Sequence, residues 1–130
     1  MNIYSHLNSS HQQVLSVLTQ DAPFQFLPGV SLFYKHYMEE DLEIIHSPSL
    51  NAFIPVRFFS TKLFKLAQIL HAPIRNNVEL NAEEQLKFFD ELISFFNEKN
   101  LSERLIQPHP YGILGAVPKH ARSCEFGTYV

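Results

Sequence analysis

The sequence has no tryptophan, one cysteine and four glycines in 130 residues, and each scarcity removes a class of function. The lone Cys124 excludes an internal disulfide, so a cytoplasmic location is the expectation. Gly29, Gly112, Gly115 and Gly127 form neither a G-x-G-x-x-G turn nor a Walker loop. No apolar run approaches the ~18 residues of a membrane span. Ten Lys and Arg stand against thirteen Asp and Glu, a net charge of −3, with no basic cluster. DNA binding, which draws on a basic stripe, is therefore not expected. Residues 1–20 lack a charged leader and a continuous apolar core, so no signal peptide is read.

What is present is apolar: 45% of the residues are hydrophobic, and twelve are phenylalanine. A chain of this size buries roughly two-thirds of its unfolded surface. One domain over residues 1–130 is expected, with no repeat, linker or low-complexity tract.

The pattern predicts a helix over 9–18 with a serine as N-cap. A second short helix follows Pro28, with Val30, Phe33, Tyr34 and Tyr37 at i, i+3, i+4 and i+7 as its apolar stripe. Strands over 42–46 and 51–58, joined by Ser47-Pro48-Ser49, read as an antiparallel hairpin. Pro55 removes a ladder donor from the second strand, which predicts a bulge or an edge. Residues 62–71 fit both a helical stripe (Leu63, Leu66, Ala67, Leu70) and an alternating face (Phe64, Leu66, Gln68, Leu70).

Residues 81–99 give the clearest helix. Asn81 can cap, and Glu84 follows three residues later. Leu86, Phe88, Phe89, Leu92, Ile93, Phe95 and Phe96 line one half of the wheel, while Glu83, Lys87, Glu91 and Glu98 belong to a solvated half. Asn100 is the expected C-cap. A short strand over 104–107, a short helix over 111–117 and a strand from Phe126 complete the reading.

The chemistry-bearing residues point to no metal or nucleophile. Seven histidines form no H-x-x-x-H pair and no ligand spacing with Cys124, so scattered surface and strand-end histidines are the better reading. Nothing near Cys124 in sequence lowers its thiol pKa, which favours a small buried thiol. The carboxylates of 83–98 read as one solvated helix face. Gly112-x-x-Gly115 suits either a helix opening near a ligand or close helix packing on the sheet. No cofactor is assigned.

The order helix, helix, hairpin, strand, long helix, strand, short helix, strand resembles the GNAT acyltransferase fold. Four pieces sharpen it: the hairpin Asp41–His46 to Ala52–Val56, then Gln68–Pro73, Arg104–Pro108 and Phe126–Val130. Together they resemble, over about residues 22–130, the N-terminal half of Fem-type aminoacyltransferases, which build peptidoglycan interpeptide bridges. That resemblance implies an α+β fold, a mixed and mostly antiparallel sheet flanked by helices, and it favours a strand over 63–70. It implies transfer of an amino acid from aminoacyl-tRNA, in the full-length protein only, to a nucleotide- or lipid-linked peptidoglycan precursor.

In some members of that family a lysine and a nearby aromatic after the second helix bind the precursor. Lys35 and Tyr37 stand there, Tyr37 where the family often has tryptophan. The family's acidic residue before a proline is replaced by Gln107, before Pro108. The place of the coenzyme A pyrophosphate loop reads Ala72-Pro-Ile-Arg-Asn-Asn-Val78, with Arg75 but no glycine. A complete coenzyme A-dependent acetyltransferase is thereby disfavoured.

Thr128-Tyr129-Val130 reads as a strand that has only begun, so an incomplete domain is expected, one that pairs through this strand as a homo-oligomer. The leading expectation is the substrate-binding half of a Fem-like acyl- or aminoacyltransferase involved in cell wall biogenesis, not catalytically complete alone. The alternative is a non-catalytic GNAT-like interaction or dimerisation module.

Overall fold

The helix predicted after Asn81 organises the computed structural model, which describes residues 1–102 and 104–106. Helix α3 spans Ala82–Lys99. Asn81 Oδ1 accepts from the Glu84 amide at 2.8 Å, and Asn100 closes the helix in the left-handed region at φ 54°. Asparagine tolerates that conformation better than most residues. The Glu84 carboxylate does not complete a capping box; it turns instead to Arg75 Nη2, at 2.7 Å.

The wheel is largely as expected. Phe88, Phe89, Leu92 and Phe96 are buried, and Leu86, Ile93 and Phe95 are half-buried. Each fully buried large side chain contributes roughly 1.5–3 kcal/mol of transfer free energy. Glu91 departs from the reading. It is half-buried and accepts from Ser47 Oγ at 2.8 Å and Ser49 Oγ at 2.7 Å. The carboxylate thus ties α3 to the hairpin turn rather than facing water.

Seven strands form one sheet among the described residues: β1 Asn2–Tyr4, β2 Asp41–Ser47, β3 Ala52–Ser60, β4 Lys65–Ile69, β5 Ile74–Arg75, β6 Val78–Glu79 and β7 Arg104–Ile106. The main order is β1-β2-β3-β4-β7, antiparallel until β7, which runs parallel to β4 after the crossover through α3. The class is α+β with an open, mostly antiparallel sheet.

Ile45, Ile54, Val56, Ala67 and Ile69 meet α3 on one face. Ile44, Phe53 and Ile74 meet Leu15 and Phe26 on the other. Leu15 belongs to α1, Gln12–Leu18, and Phe26 to a short 3-10 turn, Phe24–Phe26. Ahead of α1, Asn8 rather than a serine is the cap, accepting from the Ser10 amide at 3.0 Å.

Residues 65–69 resolve as a strand, but the alternation is shifted by one. Ala67 and Ile69 are buried while Leu66 and Gln68 are only half-buried. A one-residue shift exchanges the faces of a strand.

Pro55 makes no bulge. β2 and β3 stay in register from Asp41↔Phe58 to Ser47↔Ala52, and β3 is central rather than an edge. The Pro55 carbonyl accepts from Leu70 N at 3.0 Å, just where β4 has ended and β5 has not begun. A residue's amide and carbonyl point to the same side of an antiparallel strand, so the missing donor faces that break.

The stretch that holds the coenzyme A loop in the resembled fold is a small hairpin here. Asn76 and Asn77 take φ of 52° and 62° between β5 and β6, the pair of positive angles a type I′ turn demands. Arg75 donates to Leu50 O at 3.1 Å and pairs with Glu84. Both contacts commit its guanidinium to holding the structure together.

The second helix, α2, spans Pro28–Phe33 and runs into a π turn, Tyr34–Met38. The expected stripe of Val30, Phe33, Tyr34 and Tyr37 faces the core only in part: Val30 and Tyr34 are half-buried. Phe33 is 51% and Tyr37 78% exposed. The buried contact is Ser31, whose hydroxyl donates to Leu42 O at 3.2 Å. A small residue brings the helix close to β2, and the wider π turn breaks the 3.6-residue period on which the stripe rests.

Candidate functional site

The π turn delivers its residues to the start of β2. Lys35 Nζ lies 3.1 Å from Asp41 Oδ1, with both side chains about half exposed. Tyr37 does not join this pair: its ring rests 5.2 Å from that of Phe33. Lys35 is therefore partly exposed as expected, while the lysine and the aromatic engage different partners. Gln107 lies outside the described residues, as do Cys124, Gly112, Gly115 and the strand from Phe126.

One strand position inward stands a residue that the sequence reading passed over. Glu43 is opposite Val56 and on the α3 face with Asp41 and Ile45. Its Oε2 is buried with no hydrogen-bond partner among the described residues. Burial pushes its carboxyl up to about 7; a Ser5 hydrogen bond opposes this, Asp41 adds to it, and Lys35 opposes it. The signal was available in the string Leu42-Glu43-Ile44-Ile45, a lone carboxylate inside an apolar strand. What the string did not show is that the chain entering from β1 brings Ser5 beside it.

Ser5, Lys35, Asp41 and Glu43 thus gather at one end of the sheet. Chemically, the cluster offers a cation held by one carboxylate and a second carboxyl able to exchange a proton near neutrality.

The sign of the pH dependence follows. Below about 4.5 Glu43 is protonated in both folded and unfolded chains. Between there and about 7 the folded chain holds the proton that the unfolded chain has released, so stability falls as pH rises. Urea midpoints from pH 4.5 to 8 are expected to decline for the parent more than for Glu43→Gln. Parallel declines would remove Glu43 as the cause.

A mostly buried ion pair flanks this end on the opposite face. Arg57 Nε approaches Glu40 Oε2 at 2.6 Å, each side chain under one-fifth exposed. The two atoms do not align as a hydrogen bond, and the contact is one of charge. The guanidinium also lies over the Phe59 ring at 4.3 Å and the Tyr34 ring at 5.6 Å.

The histidines remain separate. His6 Nε2 donates to Phe26 O at 2.6 Å, and burial is the main reason its pKa is lowered. His11 accepts from the Ser5 amide through Nδ1, and His46 Nε2 lies 3.2 Å from Asn51 Oδ1. No group of three or more potential metal ligands occurs among the described residues.

The site thus belongs to an α+β protein with a mixed sheet and a carboxylate-lysine cluster at the head of β2. No protein-family model, no curated protein and no solved structure matches the chain.

Proposed function

We propose that the chain is a GNAT-like domain that binds substrate for a Fem-like acyl- or aminoacyltransferase acting on a peptidoglycan precursor. The observation that carries this reading is the order of the sheet. An antiparallel run β1-β2-β3-β4 is followed by a helix and a strand parallel to β4, the arrangement the GNAT resemblance implies. Lys35 would meet the precursor's phosphate or carboxylate by exchanging its Asp41 contact for the ligand. Glu43 stands beside it as a group able to take the proton of an attacking amine.

A non-catalytic GNAT-like interaction module is the second reading. It is favoured by Arg75, whose guanidinium is occupied by Glu84 and Leu50 O at the place where a phosphate ligand would be sought.

Calorimetry with a nucleotide-linked peptidoglycan precursor separates the two. The first reading expects binding that Lys35→Ala weakens about tenfold, the loss of one charge-assisted contact. No binding by the parent chain supports the module.

A further inference from the structure

Glu43 is enclosed on one side by the most weakly attached element of the sheet. β1 joins at the edge through Asn2↔His46, Ile3↔Ile45 and Tyr4↔Ile44, three pairs on one side only. On the other flank of β2, seven pairs run from Asp41↔Phe58 to Ser47↔Ala52. Continuing the β1 register by one residue sets Ser5 opposite Glu43, in agreement with the hydrogen bond between their side chains.

The remaining sides of the carboxyl belong to the core. Val56, opposite Glu43, and Ile45, two residues on, pack beneath α3. Met1 and Ile3 sit at the margin of that core as half-buried residues, so the N-terminal arm is the element whose departure opens least of it. Glu43 Oε2 is buried without a partner among the described residues. Charge on that oxygen would lack both water and a hydrogen bond, and the closed arm therefore favours the neutral acid.

Each neighbour of Glu43 can be named. Asp41, on its own strand, disfavours its charge, and Lys35 from the π turn favours it while also held by Asp41. The residues facing it from β3, Val56 and Phe58, are apolar. From α3, Lys99 lines the groove beside Ile3 and Tyr4. On the arm, the Ser5 amide donates to His11 Nδ1, and His6 Nε2 donates to Phe26 O. Burial lowers the pKa of His6, so that ring docks in its neutral form.

We propose that β1 is a proton-operated latch: protonated Glu43 lets Asn2–Tyr4 close the edge of the sheet, and loss of that proton draws water to the carboxylate and releases the arm from β2. Release bares the edge of a seven-residue strand, which can accept another extended segment. A released arm leaves Glu43 hydrated, an ordinary carboxylate. Release is thus favoured progressively from about pH 4.5 to about 7, where the docked form also loses its proton, and gains nothing further above that. The latch needs no substrate and does not rest on the transferase reading.

Amide hydrogen exchange of the full chain, followed by NMR and corrected for intrinsic rates, tests it. The slowest β1 amide should exchange faster than the β2–β3 amides. Its protection should fall roughly tenfold from pH 5 to 7 and then level off. In Glu43→Gln, with a circular dichroism spectrum like the parent's, that fall should vanish, and any remaining dependence should run the opposite way through His6. Ser5→Ala should move the levelling-off to higher pH, because it removes a contact that opposes the raised pKa. Asp41→Asn should move it to lower pH, because it removes a like charge. The proposal is overturned by β1 protection that does not change with pH, by the same fall in Glu43→Gln, or by β1 amides that exchange only together with those of β2–β3. Shifts of the wrong sign in Ser5→Ala and Asp41→Asn overturn it even if Glu43→Gln fails to fold.

Discussion

Phe89→Ala is expected to lower stability by about 3–5 kcal/mol, the largest effect of any single change considered for this chain. Phe89 is 2% exposed on the face of α3 that meets Ile45, Ile54, Val56 and Ala67. Removing the ring loses its transfer free energy and leaves a cavity that the sheet cannot close, since neighbouring β2, β3 and β4 are fixed by their own ladders. Phe96→Ala should behave similarly, with the added loss of an edge contact to Phe58, whose ring centre lies 5.8 Å away.

The control is Lys87→Ala, on the exposed face of the same helix, which should stay within about 0.5 kcal/mol. Glu91 does not serve as that control. Its alanine variant would remove the charged acceptor shared by the Ser47 and Ser49 hydroxyls and is expected to cost about 1–3 kcal/mol. Urea melts of the four variants, with equal m-values, check the ranking. Equal losses for Phe89→Ala and Lys87→Ala would mean that the helix does not seat on the sheet as described.

Arg57→Ala carries the second large effect, about 2–4 kcal/mol. Breaking a buried ion pair by deleting one partner costs roughly 3–5 kcal/mol, because the other charge is left desolvated; the residual exposure of this pair shifts the expectation about 1 kcal/mol below that range. The stacking of the guanidinium on Phe59 and Tyr34 is lost as well. A double-mutant cycle with Glu40→Gln separates these contributions. If charge dominates, Arg57→Ala in the Glu40→Gln background should cost much less than in the parent. If stacking dominates, the cost should be unchanged. A negligible loss in both backgrounds would show that the pair is hydrated in solution.

The two variants probe different kinds of information. The place of Phe89 is written locally. Asn81 supplies the cap, Asn100 the left-handed stop, and the phenylalanines and leucines between them recur at the helical period. A reader of the string finds that helix because every one of these signals lies within a single window of chain. The β2–β3 hairpin is legible for the same reason, its alternating apolar residues being bounded by Ser47-Pro48-Ser49. Lys35 as a partly exposed cation was legible too, since a lysine on a short surface helix rarely goes elsewhere.

What the tertiary structure decided is which side chains are deprived of water, and by what. Arg57 meets Glu40 only because α2 ends in a π turn that lays Tyr34 and Glu40 over the end of β3. Glu91 leaves the solvent only because the hairpin turn comes to α3. Glu43 keeps its proton near neutrality because the folded sheet deprives it of water, against the opposing hydrogen bond of Ser5, which the chain leaving β1 brings to it. Periodicity within one segment fixes that segment's shape and its apolar face. It carries no account of the neighbour that will cover a given position, and burial, hydrogen bonding and charge pairing are properties of neighbours. The helix and the hairpin were therefore readable from residues alone, and the surroundings that raise the pKa of the carboxylate at the head of β2 were not.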